Sequence, residues 1–260
     1  MRLFHFVNTT HEQTEHSDKT CPAVTIAEQE YGNGSLDINA DCALYTWPSA
    51  VVLAQYIWQT SWTRSFNNLR SEQSTNPPVF WELGCGTGLP SILAALLGAR
   101  VLLTDRRNIA PAVVATLERT CAANRITLQH LSDQETLTIA PNTHRPCVTF
   151  AELEWASFPP WLSRATTPPD VLLASDCLYD PVLFDDFLCS ASAILESYPH
   201  AQLWCAYENR SDARDVVALC RKWNLQVIQT LDAVSLLEGT PNESFSLPNP
   251  IQIFIIAFQS

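Results

Sequence analysis

The chain has 260 residues and only seven glycines, and three of those, Gly84, Gly86 and Gly88, fall within one five-residue window. The apolar run Val79-Phe80-Trp81-Glu82-Leu83 precedes them, and a longer apolar stretch follows from Leu89. Glycine suits such a strand-to-helix turn where backbone must bend sharply and approach a ligand with no Cβ in between. Glu82 stands two residues before Gly84, and a second acid, Asp105, ends the next apolar run 21 residues after it. An acid at the end of the second strand is placed to accept both hydroxyls of a ribose.

The ligand class follows from what the turn lacks. The dinucleotide fingerprint needs Gly or Ala at position 89, where this chain has Leu89. The phosphate-cradling Gly-Lys-Ser/Thr is missing from the chain. A carboxylate at Glu82 facing the cleft would repel a pyrophosphate and attract a cation. S-adenosylmethionine, with an ammonium, a sulfonium and a ribose, matches Glu82, the glycine turn and Asp105 together.

The elements that must hold these groups alternate along the chain. The pattern predicts strands at 79–83, 100–104, 147–153, 171–175, 201–207, 225–231 and 251–258. Helices are predicted at 89–97, 111–124, 181–196 and 211–223, the last capped by Ser211. This implies an α/β, Rossmann-like, doubly wound seven-strand sheet. No helix is expected between the last two strands, so the final strand should be antiparallel, at or near an edge. Residues 1–44 read as an N-terminal extension, polar at 8–20, with a strand at 23–29 and a turn at 31–35 that suggests a hairpin. Residues 45–260 read as the main domain, opened by a helix after Trp47-Pro48. Residues 67–78, 127–146 and 158–169 read as loops, the last with a short amphipathic piece.

With its landmarks in order, the chain resembles the seven-strand S-adenosylmethionine methyltransferases, in the subgroup of methyltransferase-like protein lysine methyltransferases. The resemblance rests on Tyr45-Thr46-Trp47-Pro48, Trp81-Glu82-Leu83-Gly84-Cys85-Gly86-Thr87-Gly88-Leu89 and Leu103-Thr104-Asp105-Arg106. It continues in Asn124, Leu153-Glu154-Trp155 and Leu173-Ala174-Ser175-Asp176-Cys177-Leu178-Tyr179. Cys85 departs from the usual alanine, a small and neutral change. The resemblance implies a protein methyltransferase with a lysine or arginine acceptor. It also implies that Gly84, Cys85, Gly86 and Gly88 offer backbone to the methionine part, with Glu82 toward its ammonium and Asp105 on the ribose. Trp155 would pack near the adenine, Trp47 would cover the cofactor, and Ser175 would line the pocket.

Asp176 and Tyr179 are then the candidate catalytic pair. An acceptor nitrogen must be presented in line with the departing sulfur, about 3–3.5 Å from the methyl carbon. Asp176 would hold that nitrogen while it sheds a proton, and the Tyr179 ring would wall the channel. A guanidinium acceptor, with a pKa above about 12, asks for more carboxylate help, and Asp180 is the second acid in view. Glu208 and Arg210 could touch substrate or pair with each other. Asp185 and Asp186 read as a solvated helix face or as a docking surface for a basic peptide.

Composition narrows the partners. Fifteen basic residues against 27 acidic ones give a net charge of −12, which disfavours a direct grip on nucleic acid. It suits a basic protein substrate, of histone or chaperone type. Methyltransferases of nucleic-acid amino groups usually carry Asn/Asp-Pro-Pro-Tyr where this chain has Asp176-Cys177-Leu178-Tyr179. A small-amine or nucleic-acid-base methyltransferase and a non-catalytic cofactor-binding module are the alternative readings. The longest uncharged apolar stretch, residues 89–99, is too short for a membrane span. The first residues lack a signal-peptide core, and no Cys/His group has metal-ligand spacing. A cytoplasmic or nuclear setting is expected, with no metal. All nine cysteines should accordingly be free thiols. Thiol titration under denaturing, non-reducing conditions should count nine, and seven or fewer would reveal a disulfide.

Overall fold

The computed structural model describes residues 1–6, 23–28, 42–62, 76–139, 145–210, 215–243, 247 and 249–259. The chain runs β1 (Arg2–His5), β2 (Ala23–Ile26), α1 (Pro48–Trp62), β3 (Val79–Leu83), α2 (Leu89–Leu96), β4 (Arg100–Asp105) and α3 (Ala110–Ala123). It continues through β5 (Thr127–Leu131), β6 (Cys147–Glu152), α4 (Pro160–Ser163), β7 (Val171–Ser175), α5 (Phe184–Ser197) and β8 (Gln202–Glu208). It closes with α6 (Val216–Lys222), β9 (Leu225–Asp232), α7 (Ala233–Leu237) and β10 (Ile251–Phe258).

The main sheet has the order β5-β6-β4-β3-β7-β8-β10-β9. Strands β5 to β8 are mutually parallel, and β10 runs antiparallel to both β8 and β9. The central strands are nearly continuous apolar runs because helices cover both faces. Every residue of β3 is buried. Phe80 joins the core beneath α1, α2 and α3, while Trp81 and Leu83 join the opposite core beneath α5. That alternation places Glu82 on the Phe80 face.

The sheet has eight strands, one more than the seven expected. The addition is β5, the outer edge strand beside β6, in a stretch that reads as a loop. Its Thr-Leu-Gln-His-Leu sequence buries no side chain fully, so it lacks the apolar alternation that marks a strand. The last strand is antiparallel as expected, one place in from the edge. A helix, α7, does separate β9 from β10, contrary to expectation. It is five residues long, too short to show a period, and Asp232 caps it by accepting from the Val234 N–H at 2.8 Å. The preceding helix starts at Val216, where the Asp215 carboxylate accepts from the Ala218 N–H at 3.0 Å. Ser211, the expected cap, lies outside the described residues. A 3-10 turn at Pro181–Leu183 precedes α5, which begins at Phe184.

β2 pairs antiparallel with the upstream β1; the hairpin expected beyond it rests on the turn at 31–35. That turn, the polar tract at 8–20 and most of the 67–78 loop lie outside the described residues. Phe4, Phe6, Val24 and Ile26 all face the core that α2 and α3 share. Asn124, at the end of α3, bonds both backbone groups of Thr25 on β2. Its side-chain N–H donates to the Thr25 carbonyl at 2.6 Å, and its oxygen accepts from the Thr25 N–H at 3.0 Å. Eight cysteines are free thiols in the structure, and Cys21 lies outside the described residues. Asn124→Ala should cost about 1–3 kcal/mol by leaving both Thr25 groups without a partner. Urea unfolding should show that loss and hydrogen exchange should show faster Thr25 exchange, and unchanged values of both would mean the tie is idle.

Candidate active site

Successive strands step outward from β3 in opposite directions, through β4, β6 and β5 on one side and through β7 and β8 on the other. The connections therefore diverge at the carboxyl ends and leave a crevice, which is where open α/β sheets bind ligands. A cavity of about 650 Å³ fills it, within the ~300–1,000 Å³ of small-molecule sites. Residues 84–87 form its floor, with Asp105 and Arg106 at the end of β4 and Glu154 and Trp155 after β6. Ser175, Asp176, Cys177 and Tyr179 form the wall after β7. Cys42, Ala43, Tyr45 and Trp47 close it from the N-terminal side, and Arg210 comes from beyond β8.

At the two glycines of the floor a side chain would be crowded. A Cβ at Gly84 would lie 3.0 Å from the Trp155 ring, and one at Gly86 would lie 3.0 Å from the Ala43 carbonyl oxygen. Both glycines have φ in the left-handed region, at 68° and 51°. Gly88 lies off the cavity, packed against Leu117 and Leu103. Asp105 is buried and ties the turn to β4. One carboxylate oxygen accepts from the Gly86 N–H and the other from the Arg106 N–H, both at 2.9 Å. Burial pushes its carboxyl up, with those two N–H groups opposing the rise.

Glu82 departs from expectation. It is fully buried, it does not line the cavity, and neither carboxylate oxygen has a hydrogen-bond partner. Strand alternation turns it under α2, behind the glycine turn. Burial pushes its carboxyl up to about 8; Ser91 moderates the rise without closing a hydrogen bond, and the Asp105 charge adds to it. At neutral pH it is largely a neutral acid, not the free carboxylate facing a cleft that its sequence position suggests.

Trp47 donates its ring N–H to the Cys42 carbonyl at 2.8 Å and meets Tyr45 edge-on. Trp155 packs edge-on to Phe187 of α5. Tyr179 is half-buried on the cavity wall, and burial pushes its phenol up to about 12. Asp176 adopts a left-handed φ of 58°, a conformation Asp tolerates better than most residues. Its two oxygens accept from the two terminal nitrogens of Arg210 at 2.7 and 2.6 Å.

Arg210 also donates to Glu208 at 2.5 Å, so it both pairs with Glu208 and bridges it to Asp176. Asn249, which carried no signal in the sequence, donates to the other Glu208 oxygen at 2.7 Å. Asp180 does not join the cluster; it caps the 3-10 turn by accepting from the Val182 N–H. Asp185 pairs with Lys222 and Trp223 on the surface, whereas the exposed Asp186 reaches the cavity rim. Among the described residues, no group of three His, Cys, Asp or Glu could hold a metal ion, and no helix is long and apolar enough to cross a membrane.

A doubly wound sheet whose glycine turn and two following strand ends enclose one cavity defines a Rossmann-like cofactor-binding protein. The lysine methyltransferase family model matches residues 34–143. Histone-arginine methyltransferase METTL23 of Xenopus laevis is 33% identical over 75% of this chain and 72% of its own length. The Homo sapiens METTL23 is 30% identical over 71% and 80%, and protein N-lysine methyltransferase METTL21A of Mus musculus is 25% identical over 78% and 81%. A solved putative RNA methyltransferase from Pyrococcus horikoshii aligns at a TM-score of 0.47, with 15% identity over 84% of this chain and 87% of its own. The chain belongs to this family of lysine and histone-arginine methyltransferases, and its cofactor is S-adenosylmethionine.

The Glu82 acid gives the fold a pH signature. Folded Glu82 keeps its proton where the unfolded chain, at the ordinary value of 4.5, has lost it. Its contribution is complete below that value and is lost as pH rises toward about 8. Glu82→Gln should flatten the decline of thermal stability between pH 5 and pH 8. Equal slopes for variant and wild type would mean that Glu82 is ionised in the folded protein.

Proposed function

We propose that the protein is a protein N-methyltransferase that transfers the methyl group of S-adenosylmethionine to an arginine or lysine side-chain nitrogen of a basic protein substrate, of histone or chaperone type. The observation that carries this reading is the placement of Asp176 and Tyr179 on the same cavity as the glycine turn. The net charge of −12 and the protein-methyltransferase names of the relatives support it.

The cavity fits the cofactor in specific ways. The glycine turn offers backbone at the cavity floor to the methionine part, with the Gly86 N–H held by Asp105, whereas Glu82, sealed behind the turn, does not reach the cavity. Asp105 is the residue assigned to the ribose. Trp155 is assigned to the adenine, with Trp47 as a cover and Ser175 as a lining residue. Gly84 and Cys85 supply the floor, while Gly88 serves by packing α2 onto α3.

Bound S-adenosylmethionine supplies an electrophilic methyl group, which the acceptor nitrogen takes as the carbon–sulfur bond breaks. Asp176 holds that nitrogen through its carboxylate and so orients it. It also offers a place for the proton the nitrogen must lose. Tyr179 stays a neutral phenol, so it serves as ring wall and hydrogen-bond donor rather than as base. Trp47 and Trp155 line the same cavity and serve to shield it from water.

Asp176→Ala should keep affinity for S-adenosylhomocysteine within about tenfold, or ~1.4 kcal/mol. Its methylation rate on a histone mixture or cell extract with labelled cofactor should fall about 10²-fold or more. Asp105→Ala should do the reverse, weakening cofactor binding while high cofactor concentration restores turnover. Mass spectrometry of the labelled product identifies the acceptor residue. A near-wild-type rate for Asp176→Ala would remove that residue from the chemistry.

A further inference from the structure

The group on the acceptor side of the cavity is itself a guanidinium. Arg210 presents its flat fork to both oxygens of Asp176, at 2.7 and 2.6 Å, and touches Glu208 at 2.5 Å. Its carbon centre lies 5.9 Å from the Trp47 ring centroid. A bidentate carboxylate, a second carboxylate and an aromatic face are the chemistry by which proteins recognise a guanidinium. A compact ammonium cannot reproduce the paired bonds.

The two acids and the cation differ in how they are held. The side chains of Asp176 and Glu208 are only 4% and 3% exposed, whereas that of Arg210 is 27% exposed. Asp176 sits at the end of β7, fixed by its N–H to the Ala206 carbonyl, and Glu208 ends β8 with Asn249 on its other oxygen. Arg210 stands two residues beyond β8 and reaches back, and it rather than Glu208 forms the cavity surface. Two carboxylates face one cation, so the cluster keeps a net negative charge in a low-dielectric setting, which favours a further cation.

We propose that Asp176 and Glu208 form a guanidinium-binding pair for an arginine acceptor, and that Arg210 is its built-in occupant, displaced when that acceptor enters. The proposal rests on the reading of this cavity as the acceptor end of a methyl-transfer site, and it replaces Asp180 with Glu208 as the second acid. Displacement exchanges one guanidinium for another of the same geometry, so the acids are never left buried without a cation. That matters because an unpaired buried carboxylate is strongly unfavourable.

The probes are ethylguanidinium and ethylammonium, measured calorimetrically in the presence of S-adenosylhomocysteine. Arg210→Ala should bind ethylguanidinium at least 10-fold more tightly than the wild type does, and at least 10-fold more tightly than it binds ethylammonium. Arg210→Lys keeps a cation beside the acids but cannot match the fork, so it should also admit ethylguanidinium more tightly than the wild type. Adding Glu208→Gln to Arg210→Ala should remove most of that gain. Equal binding of both probes, or no gain over wild type, overturns the proposal. Loss of S-adenosylhomocysteine binding in both single variants also overturns it, because Arg210 would then be a fixed strut of the site. Absence of methyl transfer by the wild type would defeat the functional reading instead, while leaving the guanidinium result to stand by itself.

Discussion

The divergence of the chain at β3 is the constraint on which the rest depends. Parallel strands need crossovers, and crossovers that leave in opposite directions cannot cover the carboxyl ends between them. A crevice opens there, bounded by the ends of β3, β4 and β7. Glycine is spent where backbone must pass close to another segment, at Gly84 under Trp155 and at Gly86 under Ala43. In a chain with seven glycines, that concentration marks where side chains have no space.

The acids around the crevice are treated in three different ways, and this separates their roles. Glu82 is sealed without a partner and driven toward its neutral form. Asp105 is buried but steadied by two backbone N–H groups, which let it tie the glycine turn to the neighbouring strand. Asp176 is buried and bonded through both oxygens to the Arg210 guanidinium. A single electrostatic rule, that burial is tolerated only with compensation, thus gives three carboxyls three chemical characters.

The N-terminal segment is integral to this arrangement. β1 and β2 are not a separate unit, since their apolar faces complete the core under α2 and α3. The segment that follows brings Tyr45, Thr46 and Trp47 over the glycine turn, where the Thr46 and Thr87 hydroxyls bond at 3.0 Å. The same segment thus roofs the cavity and carries the aromatic face beside Arg210.

The parallel strands, the glycine turn and the acid that ends β4 were legible in the sequence because each depends on local pattern: continuous apolar runs, clustered glycines, an acid at a run's end. The helix caps and the edge strand β5 were harder, since Asp215, Asp232 and Thr127–Leu131 carry little apolar signal. The sequence also placed Glu208 and Arg210 at a strand end, yet could not say what they touch. That Glu82 faces α2 rather than the cavity depends on the face of a strand, and so on the packing of layers. That Asp176 and Glu208 share one guanidinium depends on β7 and β8 being neighbours, which brings Arg210 to Asp176, 34 positions before it. Local pattern determined which groups could do chemistry. Only the tertiary structure decided which are charged, which are sealed and which meet, because burial and proximity between distant segments are properties of the folded chain.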